Sequence, residues 1–207
     1  MPVSFTPVTD IDPNVWYQLS ETRVDSYKDT RFGLNLQVTN ISSGALEVLG
    51  NNGHAWQFQP SSNSDAKGRY FLRCGVTGVK KQLSVCYYED EASSGKTRPC
   101  MRPSDGSDAQ QWDVASWDDV DQERNGTHFR LINAHNGSEY WLDVHKGNPL
   151  FMNDVTDTDI PQPAQRWLFS SVSKVDDGGY STMFTNVCSS SLPPTYLYHK
   201  GARLLTE

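Results

Sequence analysis

The chain has 207 residues, a length suited to one domain or one domain with an appendage. Its formal net charge is -7 and its Lys and Arg are scattered, so it would repel a phosphate backbone, and nucleic acid is not an expected partner. No apolar run approaches the roughly 20 residues of a membrane helix, and the opening Met1-Pro2-Val3-Ser4-Phe5 lacks the basic and apolar regions of a secretory signal; the expected location is the cytosol, or outside by an unconventional route.

Residues 1–11 read as an N-terminal arm, and repetition begins after them. The first repeat, about 12–60, carries Tyr17-Gln18-Leu19, Leu36-Gln37-Val38, Leu46-Glu47-Val48 and then His54-Ala55-Trp56-Gln57-Phe58. In the second, about 66–116, the corresponding runs are Tyr70-Phe71-Leu72, Leu83-Ser84-Val85, Cys100-Met101 and Gln110-Gln111-Trp112-Asp113-Val114. The third, about 125–171, has Phe129-Arg130-Leu131, Leu142-Asp143-Val144, Leu150-Phe151-Met152 and Gln165-Arg166-Trp167-Leu168-Phe169.

The Trp residues are spaced by 56 and 55 residues. Each Trp is followed at the second place by an apolar residue, which is strand alternation, and turn-formers such as Lys67-Gly68, Asp105-Gly106 and Asn136-Gly137 lie between runs. Four short strands per repeat and no long helical periodicity predict an all-β sandwich or barrel. Residues 172–207 lack the pattern and read as a C-terminal tail, ordered in part at most, although Tyr180, Met183 and Phe184 are able to pack back.

Cysteines number four: Cys74, Cys86, Cys100 and Cys188. Their spacing matches no zinc pattern. In the absence of a signal, free buried thiols are one reading, and a Cys86–Cys100 bridge between neighbouring strands is the other. The acidic runs Glu89-Asp90-Glu91 and Asp118-Asp119-Val120-Asp121 read as solvated charge. Asp154, Asp157 and Asp159 lack the glycine and closing Glu of an EF-hand loop. No nucleophile elbow, phosphate loop or paired metal ligands occur, so neither a metal nor a cofactor is expected, and catalysis is not.

Three Leu-x-Val and Gln-x-Trp units in phase resemble the ricin B-type β-trefoil lectins, over about three quarters of the chain. The resemblance implies a β-trefoil over residues 12–171, with Trp56, Trp112 and Trp167 as structural core and the Gln of each motif holding a loop. It implies a carbohydrate or glycoconjugate as partner, and weak sites made useful by multivalency, hence a homo-oligomer or a repeated ligand. In the family an Asp between Leu and Val grips sugar hydroxyls. This chain has it as Asp143, against Gln37 and Ser84 in the other repeats. The Asn expected before the Gln of the motif is replaced by Gly53, Ala109 and Ala164.

The expected site is therefore in the third repeat: Asp143 as hydroxyl acceptor, His145, Asn153 and Asp154 beside it, and Gln165 in support. The competing reading makes Asp143 a loop-holding residue and His145 an exposed turn residue. A second function is a trefoil without sugar sites that binds a protein through its loops, as a protease inhibitor does.

Overall fold

The computed structural model describes residues 5–21, 34–50, 53–62, 67–86, 97–117, 127–144, 149–156 and 163–180. Thirteen strands run through them: β1 (Phe5–Pro7), β2 (Val15–Glu21), β3 (Leu34–Asn40), β4 (Ala45–Leu49), β5 (Trp56–Pro60), β6 (Arg69–Cys74), β7 (Lys81–Cys86), β8 (Arg98–Pro103), β9 (Trp112–Trp117), β10 (Phe129–Asn133), β11 (Trp141–Val144), β12 (Leu150–Asn153) and β13 (Trp167–Lys174). Two 3-10 turns, Asp108–Gln110 and Pro163–Gln165, are the only helical elements among the described residues. The fold is all-β, and nine of the twelve runs read from the sequence lie wholly in strands; in the three Trp runs the strand starts at the Trp, and Gln110 and Gln165 belong to the 3-10 turns that precede β9 and β13.

Six of the strands pair in a cycle, β2–β5–β6–β9–β10–β13 and back to β2, through antiparallel ladders. Six further strands form three hairpins, β3–β4, β7–β8 and β11–β12. The hairpins are tied to one another. Met101 N donates to Gly44 O at 2.9 Å, Met152 N donates to Thr97 O at 3.0 Å, and Glu47 bridges Pro149.

The alternation that made these runs strands also fills the core. Leu19, Leu72 and Leu131 are fully buried, as are Leu36, Leu83 and Leu142, and all join Trp56, Trp112 and Trp167 in a single cluster. Burying each such side chain is worth about 1.5–3 kcal/mol. Each indole also has the polar partner that a buried N–H requires. Trp56 Nε1 donates to Leu36 O at 3.1 Å, Trp112 Nε1 to Leu83 O at 3.0 Å, and Trp167 Nε1 to Leu142 O at 3.2 Å. The same bond thus joins the Trp of each repeat to the Leu of its own Leu-x-Val.

Three readings change. The arm contributes a strand: β1 pairs with the second half of β9, Phe5 opposite Trp117, where β6 reaches only Asp113 and Trp112. An unpaired strand edge with apolar side chains beside it recruits such a partner. The strand that closes the third repeat runs past 171, because β13 continues to Lys174 opposite Val15; Tyr180 in the tail is buried, packed back as the sequence allowed. Cys86 and Cys100 are bridged across the β7–β8 hairpin with Cα atoms 6.1 Å apart, so the free-thiol reading is overturned for this pair. Cys74 is a free buried thiol. Glu89-Asp90-Glu91, Asp118-Asp119-Val120-Asp121, Asp157, Asp159, Met183, Phe184 and Cys188 lie outside the described residues.

Candidate functional site

The middle residues of the three Leu-x-Val runs, Gln37, Ser84 and Asp143, are all buried. Their strands are the first arms of the hairpins, and only the third brings a carboxylate there. Asp143 stands opposite Phe151 in the β11–β12 ladder and is 3% exposed. Its Oδ1 accepts from Val144 N at 2.6 Å. Its Oδ2 accepts from Asn153 Nδ2 at 2.7 Å and from Gln165 Nε2 at 2.9 Å. These charge-assisted bonds offset the desolvation of the carboxylate.

The network reaches one loop further. Gln165 Nε2 also donates to Val155 O at 2.7 Å, and Asn153 Oδ1 accepts from Val155 N at 3.1 Å. Asn153 and Gln165 are buried, Asp154 and Val155 are exposed, and Phe151 is half-buried. The structure therefore brings together Asp143, Asn153 and Gln165 directly, with Asp154 on the exposed loop they hold. His145 lies outside the described residues.

The other repeats solve the same local problem with different groups. In the second, Gln110 Nε2 donates to Pro103 O at 2.7 Å, and its Oε1 accepts from Asp105 N and Gly106 N. In the first, His54 stands where the others have Gln, and its Nδ1 accepts from Val38 N at 3.1 Å. Burial lowers the His54 pKa, which keeps that nitrogen an acceptor. Gly53 has a packing reason: a Cβ there would come within 2.7 Å of Asn35 Cβ and 2.9 Å of Gln18 Nε2. An Asn has no room at that place.

Among the described residues no group of three or more His, Cys, Asp and Glu is placed to hold a metal ion, and no helix is long and apolar enough to cross a membrane. Sequence reasoning missed Val155, whose backbone is the loop's anchor, because a backbone N–H and C=O leave no residue-type signal. It also missed the clustering of Lys67, Arg69, Asp113 and Arg130, which lie on or beside three strands distant in sequence.

No family model matches the chain, and no curated protein matches it. Among solved structures it is similar to the crystal structure of Cry35Ab1, with a TM-score of 0.53 at 14% identity, over 93% of this chain and 41% of that one. The chain thus spans less than half the length of Cry35Ab1, and at this identity the likeness concerns the fold alone.

Proposed function

We propose that the chain is a β-trefoil of the ricin B type and a non-catalytic carbohydrate-binding protein, with its site in the third repeat. The cyclic pairing of six strands, the three linked hairpins and the Trp-to-Leu bond made three times support the trefoil reading. The observation that carries the sugar reading is the Asp143–Asn153–Gln165 network. A carboxylate with amides beside it is the equipment that takes vicinal hydroxyls, and the third repeat alone has it at this place. Phe151, directly across the ladder from Asp143, supplies an aromatic group for a sugar's C–H face. Such sites are shallow, and a millimolar Kd corresponds to only about -4 kcal/mol. Multivalent presentation, by an oligomer or a repeated glycan, follows from that weakness.

A second reading has its own observation. Asp143 already accepts three protein hydrogen bonds and is nearly inaccessible, which suits a residue that shapes a loop for a protein partner. A glycan array with the wild-type chain and with Asp143→Ala, each checked for folding, separates the two. The lectin reading expects a signal that the substitution abolishes. A silent array, together with stoichiometric inhibition of a protease, supports the protein-binding reading instead.

A further inference from the structure

Away from the third-repeat network, a cavity of about 390 Å³ opens over β6, β9 and β10. Its charged lining is Lys67, Arg69, Asp113 and Arg130. Asp113 alternates with the core residues Trp112 and Val114, so it faces away from the core, and Arg69 stands opposite it in the β6–β9 ladder. The turn that follows β10 forms a further wall with Ala134, Gly137 and Ser138. That wall is firmly built. Asn133 Nδ2 donates to Ala109 O at 2.9 Å, Asn133 Oδ1 accepts from His135 N at 3.1 Å, and Trp141 Nε1 donates to Ser138 O at 3.0 Å.

The charges do not balance. Arg69 grips Asp113 in two bonds, Nε to Oδ1 at 2.6 Å and Nη2 to Oδ2 at 2.8 Å. That pair sums to zero and leaves the positive charges of Lys67 and Arg130, in a protein whose net charge is -7. Arg130 is held by rings: its guanidinium carbon is 3.5 Å from the centroid of Phe5 and 4.9 Å from that of Trp141. Its Nε is shut off from solvent and has no hydrogen-bond partner. Desolvation pushes its pKa down to about 10, against a smaller upward pull from Asp113. Among the described residues the Arg130 guanidinium, which has exchanged water for aromatic faces, is in no ion pair, and Asp113, which acts on it only at a distance, is already taken by Arg69.

We propose that this cavity is a second binding site, which takes an acidic sugar of monosaccharide size with Arg130 and Lys67 receiving its carboxylate. The planar guanidinium fork matches a carboxylate, and the exposed ammonium of Lys67 adds charge at the mouth. The cavity volume falls at the lower end of the roughly 300–1,000 Å³ of small-molecule sites, which suits one sugar ring rather than a chain. The exposed Ser138 lines the space where ring hydroxyls would lie. The site shares no residue with the Asp143 network, so it stands or falls separately.

Calorimetric titration of the full chain with D-glucuronate, D-glucose and acetate tests this. Glucuronate is expected to bind, with glucose and acetate each weaker by about tenfold or more, because one lacks the charge and the other the ring. Raising the salt concentration weakens the binding, since the mouth is open to solvent. Arg130→Gln and Lys67→Glu each lower the glucuronate affinity by about tenfold or more. Lys67 is exposed, so its variant keeps the measurement valid should Arg130→Gln fail to fold. Glucuronate binding no tighter than glucose, or unchanged in the folded variants, overturns the proposal. Acetate binding as tightly as glucuronate overturns the sugar-sized ligand. A glycan-array signal for neutral sugars without glucuronate binding refutes this site and leaves the third-repeat reading standing; the converse result separates them the other way.

Discussion

The hydroxyl of Tyr180 donates to the carbonyl of Cys74 at 3.1 Å, across 106 residues of chain. The Tyr180 carbonyl in turn accepts from Gln57 Nε2 at 2.7 Å, and its ring packs edge-on against Trp16. One residue beyond the last strand thus closes contacts with β2, β5 and the end of β6.

Tyr180→Phe should cost about 1 kcal/mol, because Cys74 O keeps the Thr77 donors when the hydroxyl goes. Tyr180→Ala should cost about 3 kcal/mol or more by emptying an aromatic site. Urea unfolding of the two variants measures the difference. Equal and negligible losses would show that the segment after β13 contributes nothing to stability.

Gly44 and Gly137 both adopt positive φ, +78° and +83°, but only Gly44 is hemmed in. A Cβ on Gly44 would overlap the Met101 carbonyl oxygen, whereas nothing lies within 4 Å of one on Gly137. Gly137→Ala should therefore cost only the backbone strain, about 1–2 kcal/mol. Gly44→Ala should cost clearly more, about 3 kcal/mol or above, since it also separates two hairpins. Thermal unfolding midpoints of the two variants give the comparison.

Removing Asp143 leaves Val144 N, Asn153 and Gln165 without their shared acceptor. Asp143→Ala should destabilise the fold by about 2–4 kcal/mol. A double-mutant cycle with Gln165→Ala should return a coupling of about 0.5–3 kcal/mol, because the two groups share one bond. Additive losses would dissolve the network as an energetic unit.

The Cys86–Cys100 bridge closes a short loop of sequence separation 14. Restricting the unfolded chain to that extent is worth about 3 kcal/mol, so the oxidised protein should resist urea by that margin over the protein in reductant. Matching unfolding curves in the two conditions would remove the bridge from the stability of the domain.

Burial pushes the Cys74 thiol from 9.0 up to about 12. The folded state then holds this proton where the unfolded chain has released it. Its stabilising contribution is full below pH 9 or so and is lost as the pH rises through about 12. Cys74→Ala should flatten that part of the stability–pH curve, and native Cys74 should resist thiol reagents at pH 8. An unchanged slope in the variant would assign the alkaline loss to other groups.

The strands and their core were legible as text because both depend on local order. Leu19, Leu36 and Trp56 repeat their spacing in the next two units, and alternation along a strand sends such residues to one face whatever the rest of the molecule does. The likeness of the units also made Asp143 stand out, since the eye compares it with Gln37 and Ser84. What text does not carry is which side chains meet across ladders. Phe5 beneath Arg130, Arg69 on Asp113 and Tyr180 on Cys74 all join residues whose separation in the chain bears no relation to their separation in space, whereas the Cys86–Cys100 bridge was one of the two readings the sequence left open. Register and packing set those distances, and solvent exclusion then determines what the charged groups among them are worth. Composition and period suffice for an all-β chain with three apolar units; the partners of its buried carboxylate and its ring-bound arginine arise only when the strands close on one another.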